Sequence, residues 1–208
     1  MSTVTRPILT PHEPARYTAE DLLRMSDAVR YELVGGRLAE RKMGTESSWV
    51  AVQLLILLGT HLKAHHVGWL FGADAGFQCF ADDPDKVRKP DVSFVRLDRL
   101  PGGPPKGHCR VAPELAVEVI YPNELYSEVE EKVDEYLGAG VKLVWVIDPP
   151  HRSVRVHRAD GTVTDLRETN ELSGEAVVAG FRCRVGELFE TPAAPAVERL
   201  APHPGPLP

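Results

Sequence analysis

PELAVEVIYPNELYSEVEEKVDEYLGAGVKLVWVIDPP, residues 113–150, carries the pattern that decides the fold. ELAVEVIYP (114–122) and VKLVWVIDPP (141–150) are apolar runs of the kind found in strands buried on both faces. Between them, SEVEEKVDEYLGAG (127–140) reads as a short amphipathic helix. Ser127 and Glu130 form a capping-box pattern, and Gly138 or Gly140 can supply the residue that ends the helix. Strand, helix and strand in this order predict an α/β (α+β) domain, a mixed β-sheet flanked by helices.

One residue interrupts the first apolar run. Side chains alternate faces along a strand, so Ala116, Glu118 and Ile120 share one face and Leu115, Val117 and Val119 the other. An unpaired carboxylate at 118 would be costly to bury. It calls for a metal ion, an Arg or Lys partner, or exposure to a cleft or to water at a sheet edge. A second carboxylate stands in KPDVSFV, where Pro90 cannot donate to a ladder and places Asp91 near the strand's start. If the strands at 91–97 and 115–121 are neighbours, Asp91 and Glu118 converge on one cation. Mg²⁺ takes oxygen ligands of this kind and keeps several waters. Lys132 lies on the intervening helix, four residues from both Glu128 and Tyr136. It either pairs with Glu128 at the surface or points back over the strand end, where it would orient or activate water. Two carboxylates, Mg²⁺ and a lysine form an arrangement suited to phosphodiester hydrolysis.

Working outward, YELV and RLAE (31–34 and 37–40) flank Gly35-Gly36, which accepts the positive φ of a hairpin turn, and Glu32 lies on the first arm. TAEDLLRM (18–25) reads as a helix with Thr18 as N-cap and Asp21 in its first turn. The longest helix is ESSWVAVQLLILLGTHLKAHH (46–66). It is apolar nearly all round, which predicts cover on more than one side, by a sheet and by a second subunit. Glu46, Gln53 and Thr60 recur every seven residues on it, a polar stripe facing either solvent or a polar cleft. GWLF (68–71), GFQCF (76–80) and DVSFVRL (91–97) read as strands, SVRVHRADGTVTDL (153–166) as a hairpin turning at Asp160-Gly161, and VVAGFRCRVGELF (177–189) as short strand-like pieces. Residues 17–190 are expected to form a single domain, 1–16 a loose arm, and the Pro-rich 191–208 a disordered tail.

The 208 residues suffice for one sizeable core. A net charge of −6 gives no support to a broad basic face coating nucleic acid, which leaves KVRK (86–89) and RVHR (155–158) either as a local basic patch or, the more ordinary reading, as solvated surface charge. Cys79, Cys109 and Cys183 are odd in number and lack close metal-ligand spacing, which argues against a disulfide framework or structural zinc. With no apolar run of membrane-spanning length and no basic-then-apolar leader, a cytoplasmic protein is expected.

PD (90–91), PELAVEV (113–119), YPNE (121–124), Lys132 and EYLGAGVKLVWVIDP (135–149) together resemble the Uma2 family. YELVGGRL (31–38) is similar to that family's opening hairpin, and MGTESSWVAVQL (43–54) to its first long helix; the likeness covers roughly residues 17–160. It implies a restriction-endonuclease-like PD-(D/E)xK core and a Mg²⁺-dependent endonuclease acting on DNA, with Mn²⁺ as a substitute; the assembly expected from the residues themselves is a homodimer through the apolar helix 46–66 or the sheet surface. Asp91 and Glu118 would be the metal ligands and Lys132 the catalytic amine. Glu32 would add an acidic contact, and Glu46 would reach the site through the helix stripe. The lysine of the usual ExK spacing is absent, since Ile120 stands there, so the amine would come from the neighbouring helix. Tyr121 and Glu124 also depart from the family's pattern, and the Tyr121 ring would stack on a base, narrow access or pack inertly. The rival readings are a non-catalytic nucleic-acid or protein-binding module on the same fold, and a metal-dependent phosphoesterase acting on a small nucleotide.

Overall fold

A computed structural model describes residues 15–42 and 44–191. In chain order it contains α1 (Ala19–Arg24), β1 (Tyr31–Val34), β2 (Arg37–Glu40), α2 (Thr45–His65), β3 (Gly68–Gly72), β4 (Val92–Arg96) and β5 (Leu115–Val119). These are followed by α3 (Tyr126–Gly138), β6 (Leu143–Asp148), β7 (Ser153–Arg158), β8 (Val163–Arg167), β9 (Glu171–Ser173) and β10 (Arg182–Arg184). The expected arm over 1–16 and tail over 191–208 lie outside the described residues, apart from positions 15, 16 and 191.

The order β3-β4-β5-β6-β7-β8 makes a mixed six-stranded sheet. Only β5 and β6 are parallel, with Leu115 beside Leu143 and Val119 beside Ile147. A parallel pair needs a crossover too long for a turn, and α3 is that crossover. Every residue of β5 is buried. The two faces of the sheet sort as the alternation requires. Leu115, Val117 and Val119 join Phe94, Trp145 and Ile147 beneath Val50, Leu54 and Leu58 of α2, with Leu172, Val185 and Leu188 of the C-terminal segment closing the same cluster. Ala116, Val144 and Val146 face Val129, Val133 and Tyr136 of α3 on the other side.

Several boundaries differ from the sequence reading. α3 begins at Tyr126, where the Glu128 carboxylate accepts the Leu125 N–H at 3.3 Å. Glu130 is therefore not the capping glutamate; it turns instead towards Arg155 of β7 at 3.6 Å. At the other end Gly140 takes φ +94°, and the Val141 N–H donates back to the Tyr136 carbonyl at 3.0 Å, as a left-handed glycine cap requires. The stripe Glu46, Gln53, Thr60 is a solvent stripe, since Glu46 and Thr60 are exposed and Gln53 is half-buried. Trp49, Val52 and Ile56 on the outer side of α2 are exposed as well, so among the described residues the helix is covered on one side only.

GFQCF is not a strand. Phe77 makes only isolated bridges, to Arg88 and to Cys109, and Val87 bridges Leu33 of β1. The chain between Pro84 and Pro90 thus runs as an extended link between the hairpin and the 76–80 loop, with prolines that cannot extend a ladder at either end. The β1–β2 hairpin turns at Gly35 and Gly36, at φ +56° and +73°, and β7–β8 pair around Gly161, as read from the sequence. No helix of the described residues is long and apolar enough to cross a membrane.

Ser93 of β4 is fully buried, and its hydroxyl has no hydrogen-bond partner among the described residues. Ser93→Ala is expected to stabilise the fold by about 1 kcal/mol, because it removes a desolvated polar group that gets nothing in return. A urea midpoint that falls instead would show that Ser93 has a partner, such as a bound water.

Candidate active site

β4 and β5 are antiparallel with Val92 opposite Val117, so Asp91, one residue before β4, falls opposite Glu118. Pro90 ends the ladder just ahead of it. The Asp91 carboxylate accepts the Val119 N–H at 2.8 Å and the Tyr121 hydroxyl at 2.9 Å, and the Arg41 guanidinium lies 3.4 Å away. Tyr121, ambiguous in the sequence, is thus a donor to Asp91.

Glu118 is held from α3. Lys132 Nζ donates to Oε2 at 2.8 Å and the Tyr136 hydroxyl to Oε1 at 2.7 Å. Lys132 and Tyr136 are one turn apart and so reach the sheet side by side. Glu128, the alternative partner of Lys132, pairs with Lys42 of the hairpin arm instead. Lys132 Nζ also lies 3.9 Å from Glu32 and 4.0 Å from Glu124. Glu32, from β1, accepts the Lys89 N–H at 2.7 Å and Arg88 Nη1 at 2.9 Å. Arg88 Nε reaches on to Glu135 at 2.6 Å, and Lys86 Nζ meets the same carboxylate at 2.9 Å. Glu32, Asp91 and Glu118 are each 5% exposed or less.

Burial pushes the Glu118 carboxyl up to about 7. Lys132 opposes that shift, while Asp91 and Glu32 add to it by like-charge repulsion. Burial also raises Asp91, against the donors from Val119, Tyr121 and Arg41. At Glu32 burial acts in the same direction, but Lys132 and Arg88 outweigh it and hold this carboxyl below its ordinary range. Lys132 is raised: burial disfavours its charge, but Glu118 and Glu32 favour it more strongly. The cluster is therefore a set of buried carboxylates whose compensating charge comes from side chains.

The structure brings Asp91, Glu118, Lys132 and Glu32 together and does not bring Glu46 to them. Glu46 is exposed in the first turn of α2 and makes no hydrogen bond or ion pair among the described residues. Its neighbour Ser47 is the residue that turns inward, donating to the Ile120 carbonyl at 2.8 Å. KVRK is not a basic patch either, because Lys86, Arg88 and Lys89 are nearly fully buried. In RVHR, Arg155 and Arg158 are paired with Asp165 and Glu175, and His157 is buried. Sequence reasoning did not single out Arg41, Glu135 or Tyr136, and it met Arg88 only as part of KVRK. The only advance signal among them was Tyr136, four residues beyond Lys132 on one helical face.

Two cavities open onto the cluster. One, of about 250 Å³, is lined by Glu32, Arg41, Arg88, Glu124 and Lys132. The other, of about 400 Å³, is lined by Ser48, Val52, Phe71, Asp74, Asp91 and Tyr121. Among the described residues no group of three or more His, Cys, Asp or Glu side chains is arranged to hold a metal. Mg²⁺ binds through one or two carboxylates and leaves its other positions to water and phosphate; Asp91 and Glu118, at facing strand positions, are the two carboxylates such a site would use.

A mixed six-stranded sheet between α2 and α3, with this cluster at the β4–β5 junction, is a restriction-endonuclease-like fold. A family model described as "Uma2: Putative restriction endonuclease" matches residues 19–186, and the chain belongs to that family. The fold is similar to that of a crystal structure described as "a putative nuclease belonging to DUF820" from Anabaena variabilis ATCC 29413. The TM-score is 0.70 at 18% identity, with 83% of this chain and 97% of the other covered. No curated protein matches the chain.

Proposed function

We propose that the chain is a Mg²⁺-dependent endonuclease that hydrolyses DNA phosphodiester bonds on the PD-(D/E)xK plan. The observation that carries this reading is the placement of Asp91 and Glu118 on facing strand positions, with Lys132 Nζ 2.8 Å from Glu118. Asp91 and Glu118 would hold the ion, with Mn²⁺ as a substitute. When bound, the ion polarises the phosphate and lowers the pKa of water.

The remaining work falls to the chain's own side chains. Lys132 covers the Glu118 carboxylate and supplies positive charge that a cation would replace. Released from Oε2, its ammonium stays on α3 within reach of a phosphate oxygen, where it stabilises developing negative charge. Arg41, on the wall of the cavity and 3.4 Å from Asp91, is placed to bind a non-bridging phosphate oxygen. Glu32 and Tyr136 position Lys132 and Glu118. The missing lysine at Ile120 is then no obstacle, because α3 delivers an amine to the same carboxylate.

Titrating Mn²⁺ into wild type and Asp91→Ala, followed by cleavage assays on plasmid, linear and single-stranded DNA, tests this reading. Equal Mn²⁺ binding by both proteins removes Asp91 from the ligand set. Intact DNA with Mg²⁺ and with Mn²⁺ favours a binding module. The affinity should also depend on pH. Glu118 must lose its proton to bind a cation, and its carboxyl sits at about 7. Affinity is therefore expected to rise roughly tenfold per pH unit below that value and to level off above it. Calorimetry at pH 6 in buffers of different ionisation enthalpy would detect the released proton. Tyr121→Phe removes a donor from Asp91 and frees a lone pair for the ion. It is expected to tighten Mn²⁺ binding and to cost the metal-free fold about 1 kcal/mol. Weaker binding would assign Tyr121 a supporting role at the ion.

A further inference from the structure

Lys89 is a buried cation that the ion-pair network leaves out. It is 4% exposed, and its ammonium donates to the Ala28 carbonyl. Among the described residues no carboxylate lies within ion-pair distance of it, whereas Lys86 and Arg88 beside it are each paired twice. Nearby Arg41 adds a like charge, against weaker attraction from Glu32 and Asp74. A buried ammonium without a counter-charge is expensive, and an apolar residue would fill the same volume at less cost.

Lys89 lines a cavity of about 460 Å³. Lys106, exposed on the Pro/Gly loop and without an ion-pair partner among the described residues, lies on the same wall. Val29, Phe71 and Phe77 supply apolar surface. Phe71, Asp74 and Ala75 line this cavity and also the one that holds Asp91 and Tyr121, so the two adjoin along a shared wall. Only Pro90 separates Lys89 from Asp91 in the chain.

We infer that this cavity is an anchoring subsite for the bound nucleic-acid strand. Lys89 and Lys106 take a phosphate that neighbours the one at Asp91, and Phe71 and Val29 take the attached sugar and base. Lys89 and Lys106 beside Val29 and Phe71 match a nucleotide, anionic at one end and flat at the other, with Asp74 and His108 also in the lining. The subsite rests on the nuclease reading but needs no metal, and it assigns Lys89 a ligand in place of a side-chain partner.

Fluorescence anisotropy of labelled single-stranded and duplex oligonucleotides in EDTA, between about 50 and 200 mM salt, tests it. Lys89→Met is expected to weaken binding about tenfold and to lower the slope of log affinity against log salt by about 1, while Lys89→Arg stays near wild type. If Lys89→Met does not fold, Lys106→Ala on the exposed loop carries the test, with the same change in slope. Unchanged affinity and slope in the folded variant, beside a wild type that binds, overturns the subsite and leaves the nuclease reading standing. Failure of wild type to bind any of the oligonucleotides in EDTA also overturns the subsite, and the nuclease reading is then decided by the cleavage assays with Mg²⁺ and Mn²⁺.

Discussion

Glu118→Gln is expected to leave the chain folded and to reduce DNA cleavage about 10³-fold or more, with a parallel loss of Mn²⁺ binding. The substitution keeps the shape of the side chain and removes only its charge. The Tyr136 hydroxyl keeps an acceptor, and Lys132 keeps Glu32 at 3.9 Å and Glu124 at 4.0 Å. Burial and the repulsion of Asp91 and Glu32 already push the Glu118 carboxyl up to about 7, so a neutral side chain suits the metal-free fold at least as well. Stability and activity should therefore part company: an unchanged or slightly raised urea midpoint beside absent cleavage. The magnitude follows from what the charge would supply, a ligand that places the ion and through it a nucleophile, each worth a factor of about 10² to 10⁴. Cleavage within tenfold of wild type by purified Glu118→Gln would sink the two-carboxylate mechanism. Loss of cleavage together with loss of fold would make Glu118 a structural residue.

The strand–helix–strand unit was readable in the sequence because its signals are local. Apolar runs, an amphipathic turn period and a closing glycine all lie within 113–150. Asp91 and Glu118 were readable for a related reason, since a carboxylate inside an apolar strand is anomalous before any partner is known. The direction of Lys132 was not. Glu128 and Tyr136 stand at equal spacing from it, and the tie is broken by Lys42, a residue 86 positions from Glu128 that takes that carboxylate away. KVRK misled for the opposite reason. Its composition is that of a solvated surface, but Arg88 is held by Glu32, 56 positions upstream, and by Glu135, 47 positions downstream. Such pairing leaves no trace in the local pattern. Glu46 misled because helical spacing gives the stripe but not its azimuth; the apolar residues of α2 turned Ser47 to the site and Glu46 to water.

Arg88→Met is expected to destabilise the fold by about 3–5 kcal/mol, a large share of a typical domain's total stability. Arg88 spans two carboxylates, with Nη1 on Glu32 at 2.9 Å and Nε on Glu135 at 2.6 Å, and is 6% exposed. Methionine fills the volume but, among the described residues, leaves Glu32 with Lys132 and the Lys89 N–H alone, and Glu135 with Lys86 alone. Most of the cost comes from carboxylates stranded without a counter-charge rather than from poorer packing, which fixes how the defect varies with pH. In wild type the Glu32 carboxyl lies below its ordinary value of 4.5, so its contribution to stability is complete above that value and is lost as pH falls through the folded value. The variant has less of this contribution to lose. The gap between the two proteins is therefore widest near neutrality and closes on acidification below 4.5. Arg88→Lys should fall between them, since a compact ammonium lacks the wide planar fork whose Nη1 and Nε span Glu32 and Glu135. Adding Glu32→Gln to Arg88→Met should recover part of the loss at neutral pH and little in acid. Urea midpoints for the four proteins across pH 4 to 8 decide the matter. A deficit that stays constant with pH would mean that Arg88 acts through packing alone, and the charge network would then contribute nothing to holding Glu32 beside Lys132.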